Sequence, residues 1–261
     1  MNNHSYQHGQ VYDYGHLDQH AINTYIAKVF GWMFFGLLLT AITTLGIVYG
    51  INVNEAFADF IFRMQQIVLV VFLVEFALVI AISSRVTKMN PITAKFMYIL
   101  YAVLNGFTFG LFAVIYTYAT GGNIYTLGMA FGITAVCFGV MAIYGLVTRA
   151  DLTRFGNLLR MGLFGLIIVM LVSFFMGSSA LDFLINIGGL FLFLGITAHR
   201  TQMIKNHYAE IALSDTHTDE YGYTSQGALA SNLAIYGALT LYLAFINMFM
   251  FIMRLMGGSR R

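Results

Sequence analysis

The sequence predicts an all-α, polytopic membrane protein with seven transmembrane helices, and three observations predict it. Hydrophobic residues make up 59% of the 261-residue chain and charged residues only 9%, against about 25% charged in an ordinary soluble domain. The mean hydropathy is +0.77. The apolar residues gather in seven continuous runs separated by short polar breaks. About 20 such residues make a helix that crosses ~30 Å of hydrocarbon, whereas the strands of a barrel would alternate over ~10 residues.

In chain order the runs place helices over Tyr25–Tyr49, Gln66–Ile82, Lys95–Tyr118, Ile124–Val147, Leu158–Met176, Leu181–His199 and Asn232–Met256. The only proline, Pro91, falls in the second break, so no span is expected to carry a proline kink. Orientation follows from Lys and Arg near the span ends. With the N-terminus inside, Lys28, Arg85, Lys88, Lys95, Arg149, Arg154, Arg160, Arg200 and Lys205 are cytoplasmic, and the outer loops between spans hold only Arg63. Arg254, Arg260 and Arg261 oppose this count if the last run crosses fully.

The chain divides into a polar cytosolic tail over 1–21, with nothing that looks cleavable, and a seven-helix domain over 22–261 in which 206–231 is a variable cytoplasmic loop. His4, His8, His16 and His20 would suit a metal if the tail were helical, but a solvated tail explains them as well, and no metal site or cofactor is expected. The loop holds Glu210, Asp215, Asp219 and Glu220 with His207 and His217, and reads as solvated or partner-binding. Cys137 lies inside an apolar run as a small buried thiol. A net charge of +2 without a basic patch excludes nucleic acid as a partner, leaving the lipid bilayer as the surrounding partner.

Two pairs of glycines at small-xxx-small spacing, Gly106 with Gly110 and Gly128 with Gly132, are expected to bring helices close within the monomer rather than between copies. Tyr116, Tyr118 and Tyr125 flank a charge-free turn as interfacial anchors. Glu75 is the one acid near the middle of a run, so it should face the bundle interior and be protonated, paired or hydrated. A role in an ion path and a purely structural hydrogen bond both fit it. Arg85 follows ten residues later, about 15 Å along a helix, where it can snorkel to the interface. No catalytic constellation is present: Ser178 and Ser179 have no histidine in a neighbouring outer segment, so the chain is not read as an enzyme.

Taken together, LNGFTFG (104–110), YGLVTRADL (144–152), MGSSALDFLI (176–185), GITAHRTQMIK (195–205) and GALTLYLAFINMFMFIMRLMG (237–257) resemble, in order and spacing, the Bax inhibitor-1 family, in particular its bacterial, YccA-like branch. That resemblance implies an inner-membrane bundle with the last helix at its centre. It further implies a pH-sensitive calcium leak in which two aspartates, one each in the sixth and seventh helices, share protons and pair with a second-helix arginine. Other bacterial members imply a partner, a membrane-bound AAA protease, and eukaryotic relatives imply a role against stress-induced death.

The sequence departs from that pattern where calcium gating most needs it. The sixth-helix motif, usually Y-D-T-Q, reads His199-Arg200-Thr201-Gln202, and the seventh-helix motif, usually Y-L-D-F-I-N, reads Tyr242-Leu243-Ala244-Phe245-Ile246-Asn247. Arg200 and Ala244 therefore stand where the family has aspartates. Arg85 matches the second-helix arginine to within one residue. Were Arg85 and Arg200 to meet at about 4 Å, they would repel by roughly 4 kcal/mol, and such a mouth should repel Ca²⁺. His199 is the one local group able to respond near neutral pH. The candidate path or sensor positions are thus Glu75, Arg85, His199, Arg200, Ala244 and Asn247. A non-conducting regulator of another membrane protein is the competing reading.

Overall fold

The computed structural model describes residues 19–64, 67–120, 124–213 and 225–258. His4, His8, His16, the turn at 121–123, Asp215, His217, Asp219, Glu220, Arg260 and Arg261 lie outside the described residues. The described residues form α1 (Gln19–Val53), α2 (Glu55–Met64), α3 (Val68–Arg85), α4 (Pro91–Thr120), α5 (Ile124–Val147), α6 (Gly156–Met176), α7 (Ser179–Leu213) and α8 (Ser225–Gly258), with 3₁₀ turns at Val86–Lys88 and Leu152–Phe155. Seven of these, all but α2, are long and apolar enough to cross a membrane.

Local chemistry sets the ends. Pro91 opens α4 instead of sitting in the break before it; proline is tolerated in a first helical turn because that turn's N–H groups have no intrahelical acceptor. Gly177 ends α6 with φ +60° and donates its N–H to the Ser173 carbonyl at 2.9 Å, the left-handed stop that glycine adopts without strain. The hydroxyl of Ser173 donates to the Asp182 carboxylate across the same turn. Hydropathy gave no hint of α2. It is a ten-residue amphipathic helix capped by the Asn54 side chain, which accepts from the Phe57 N–H, and it lays Phe57, Ala58 and Ile61 against α1 and α4 residues. Likewise α7 continues past His199 to Leu213, and α8 starts at Ser225. Much of the expected 206–231 break is therefore helix that extends beyond the apolar stretch.

The last helix is the most buried of the seven: 67% of its apolar window is inside the protein, against 6% for the α6 span and 11% for α3. It packs on α7, α1, α5, α4 and, more lightly, α3. Ile235, Ala238, Leu239, Leu241, Tyr242 and Met248 have no exposed surface. The outward faces are apolar in turn, with Phe174 and Phe175 on α6 84% and 85% exposed, which suits a solvent of lipid chains. Because lipid tails are as apolar as leucine, helix association here rests on close packing and hydrogen bonds rather than on escape from water.

The α1/α4 contact shows both. Thr40 and Thr44 on α1 donate their hydroxyls to the Ala102 and Gly106 carbonyls of α4, at 2.9 and 3.0 Å. A Cβ at Gly106 would lie 2.8 Å from the Thr40 carbonyl oxygen, and one at Gly110 would lie 2.8 Å from Ile47, so this glycine pair packs within the monomer. The second pair does not. Nothing lies within 4 Å of a Cβ at Gly128 or Gly132, both exposed on α5. Gly106→Ala should therefore lower stability in detergent by about 1–3 kcal/mol, the range for overpacking, while Gly128→Ala should stay within about 0.5 kcal/mol. Equal effects in a thermal melt would remove the distinction between the two glycine pairs.

With α1, α4 and α8 running in the same sense, Gly257 comes beside Tyr116 near the C-terminal end of α4. The last helix thus crosses fully, and Arg254 is exposed at the end of the bundle opposite the start of α1.

Candidate functional site

Glu75 lies mid-helix on α3 and is 5% exposed. Its carboxylate accepts from two α4 side chains: Thr108 Oγ1 donates to Oε1 at 2.7 Å and Asn105 Nδ2 to Oε2 at 3.4 Å. Residues 105 and 108 are three apart, hence on one helix face. The same Asn105 amide donates to Tyr101 Oη at 3.3 Å, and its carbonyl oxygen accepts from Tyr242 Oη of α8 at 3.1 Å. Tyr242 Oη is also 2.7 Å from Thr40 Oγ1 of α1. Thr40 in turn lies within reach of the Gly36 and Ala102 carbonyls. Polar side chains within hydrogen-bonding distance of one another therefore join α3, α4, α8 and α1 in the middle of the bundle.

The surrounding rings close this chain off. Tyr242 meets Tyr101 edge-on with centroids 5.6 Å apart and Tyr98 at 6.3 Å, and Tyr98 donates its hydroxyl to the Trp32 carbonyl at 2.9 Å. Proton counting shows what the chain can do. Tyr242 has one proton and two acceptors in reach, Asn105 Oδ1 and Thr40 Oγ1; Thr40 has one proton and three acceptors, the Gly36 and Ala102 carbonyls and Tyr242 Oη, so the chain is continuous when Thr40 donates to Tyr242 and Tyr242 to Asn105. The hydroxyls can reorient, and Asn105 can turn its amide over, without any heavy atom moving far.

The other expected positions do not join this network. Arg85 is exposed in the last turn of α3, and among the described residues it has no hydrogen-bonded or ion-paired partner. Arg200 is half-buried on α7, and among the described residues its guanidinium Nη1 approaches Met203 Sδ, at 3.9 Å. The two arginines lie on helices that pack mainly on different neighbours, α4 and α8 for α3 and α8, α5, α6 and α1 for α7. Ala244 is 1% exposed, sealed in the core around α8. Asn247, half-buried, donates its amide to the Leu243 carbonyl one turn back, at 2.7 Å.

His199 rests its ring against the backbone of Gly156, where a Cβ would lie 2.9 Å from Nε2. One turn on, Gln202 holds the α5–α6 connection with both ends of its amide, accepting from the Leu152 N–H and donating to the Ala150 carbonyl, each at 2.8 Å. Asp151 caps the 3₁₀ turn in that connection. The hydrogen bond from the Thr153 hydroxyl, helped by the Thr153 amide and Arg154, holds its carboxyl below the usual carboxylate range. This end of the bundle is thus tied down by a glutamine. Among the described residues, no three His, Cys, Asp or Glu come together as a metal site would require.

Sequence reasoning singled out Glu75 but missed Thr40, Tyr101, Asn105, Thr108 and Tyr242, which give it its surroundings. A signal existed: Asn105 and Thr108 are the polar residues of LNGFTFG, and Tyr242 is a polar residue of the last-helix segment.

A family model described as inhibitor of apoptosis-promoting Bax1 matches residues 22–261. The chain is 35% identical over 242 residues to the inner membrane protein YbhL of Escherichia coli K12, covering 92% of this chain and 93% of the relative. It is 37% identical over 238 residues to an uncharacterized protein of Borreliella burgdorferi, with 91% and 93% covered. It is 27% identical over 238 residues to an uncharacterized membrane protein of Streptococcus pyogenes serotype M1, with 91% and 94% covered.

Proposed function

The chain belongs to the Bax inhibitor-1 family, and on that premise we propose that it is a multi-pass inner-membrane protein, N-terminus cytoplasmic, through which cations leak past Glu75 and which is closed in this conformation by the Glu75–Asn105–Tyr242–Thr40 chain. The observation that carries the reading is a carboxylate, 5% exposed at mid-bundle, bonded by two helix-borne donors and linked through them to two further helices. An ionisable group at such depth costs at least ~2.5 kcal/mol to insert and marks ion or proton pathways in membrane proteins. A packing role alone would be met by a residue without that cost. Nine of the 13 Lys and Arg residues fall on the side assigned to the cytoplasm, which supports the orientation.

Calcium selectivity is not part of the proposal. Arg200 and the sealed Ala244 leave no carboxylates at the family's sensor positions, and hard divalent cations need oxygen ligands. These same two positions favour a second reading, a non-conducting regulator whose partner is another membrane protein such as a membrane-bound AAA protease.

Flux of K⁺, H⁺ and Ca²⁺ from proteoliposomes at pH 6 and pH 8 separates the two. Native protein should leak monovalent cations slowly, and Glu75→Gln should change that rate by at least about tenfold, with little loss of fold. Silence of both proteins to all three ions would discard the leak and leave the regulator.

A further inference from the structure

Beyond the ion path, we propose that the α1/α4 edge holds one anionic phospholipid, its phosphate between Lys28 and Lys95 and an acyl chain along Gly31 and Phe35 beside Trp32. Lys28, Gly31, Trp32 and Phe35 line a shallow groove of about 330 Å³. Their spacing of three, four and seven puts them on one face of α1. The recess exists because residue 31 is glycine: nothing lies within 4 Å of the Cβ it lacks. Any larger side chain would fill the space in front of the indole.

Lys95 comes from the neighbouring helix, α4, and places its Nζ 6.0 Å from the Trp32 ring centroid. Two cations from two helices therefore border one apolar slot, Lys28 in its lining and Lys95 over its indole. Among the described residues neither has a carboxylate partner, so their charge is available to an anion from outside the protein. The Trp32 ring is held edge-on to Phe35 at 5.8 Å and to Tyr98 at 6.3 Å, with Tyr98 bonded to the Trp32 carbonyl.

The vertical order of groups matches a lipid standing in a leaflet. Lys28 and Lys95 lie toward the N-terminal ends of α1 and α4, which are at the same end of the bundle, with the indole one turn deeper than Lys28 and exposed Phe35, Phe34 and Leu38 below it. Charge at the headgroup, tryptophan at the boundary and apolar groups beneath is the profile of the bilayer itself. A soluble anion would use the lysines but not the apolar slot, and a neutral lipid would use the slot but not the lysines. Only an anionic lipid uses both.

Trp32 is the sole tryptophan of the chain, so its fluorescence reads this groove alone. The experiment reconstitutes the full chain into bilayers where brominated, quenching chains are carried by phosphatidylglycerol or, at equal mole fraction, by phosphatidylcholine. Basic residues near an anionic surface gain roughly fivefold each, so native protein should show at least about a threefold preference for quenching by phosphatidylglycerol. Lys28→Gln with Lys95→Gln should bring the preference to about one. Gly31→Leu, which retains both lysines and points into open space, should do the same by filling the slot. The remote pair Arg149→Gln with Arg154→Gln, in the α5–α6 connection that packs on α6 and α7, should leave it unchanged. Equal quenching of native protein by both lipids overturns the proposal. So does a preference that survives Gly31→Leu or that the remote pair abolishes, since that would be the general field of the basic end.

Discussion

Asn105→Leu should destabilise the bundle by about 2–4 kcal/mol, well beyond the effect of Glu75→Gln. Leucine keeps the branching of asparagine at Cγ but is larger, so some overpacking adds to the main loss, that of the joint between α3, α4 and α8. Asn105 makes three hydrogen bonds, to Glu75, Tyr101 and Tyr242. Two of these, to Glu75 on α3 and to Tyr242 on α8, join helices, and interhelical hydrogen bonds in membranes average about 0.6 kcal/mol each, which contributes about 1 kcal/mol. The rest comes from Glu75, which would keep only Thr108 as a donor while remaining buried, and orphaned buried polar groups cost about 1–3 kcal/mol. Glu75→Gln escapes this. Its amide oxygen still accepts from Thr108, and if Asn105 turns over to present its own oxygen, the new amide N–H has an acceptor while Tyr242 gives its proton to Thr40. Reversible denaturation in detergent micelles compares the two variants; a loss below about 1 kcal/mol for Asn105→Leu would mean that Asn105 does not join the helices.

The seven spans were readable because hydropathy sums over 20 residues and lipid tolerates almost nothing else over that length. Ile124–Val147 matches α5 at both ends. Glu75 was readable for the same reason, as the one acid in a long apolar background. Its partners were not, since Thr40, Asn105, Thr108 and Tyr242 are small or amphipathic residues that barely lower a window average, and they lie on three other helices, up to 202 positions apart in the case of Thr40 and Tyr242. Such pairings depend on which helices become neighbours. α2 was missed because ten residues with charges at both ends, Glu55 and Arg63, register as loop in a window built for spans. The glycine pairs mark the same limit: Gly106 and Gly128 have identical spacing to their partners, but only the first faces a helix.

Ala244→Asp should cost about 3 kcal/mol or more, whereas Arg200→Asp should cost less than about 1. Ala244 is 1% exposed on the helix that most others pack against, in one core cluster with Tyr242, Phe245 and Met248. A carboxylate there is a buried charge without a partner, the situation in which breaking an ion pair costs about 3–5 kcal/mol. The arginine that the family resemblance would supply as counter-charge is Arg85, and it is exposed at the end of α3. Arg200, by contrast, is half-buried with one weak sulfur contact, and residues so placed are usually replaced at small cost. Denaturation of the two single variants and of the double variant forms a cycle. Additive losses are expected, because neither aspartate would find a counter-charge already in place. The double variant should accordingly show no pH-dependent Ca²⁺ leak. A double variant more stable than Ala244→Asp by 1 kcal/mol or more, or one that leaks Ca²⁺ more at one pH than another, would mean that the two positions still communicate through a wet pocket and that two substitutions suffice to rebuild a gate. In this structure the difference from the gated pattern is larger than two side chains: the position on α8 is packed shut and the arginine is exposed at the end of α3.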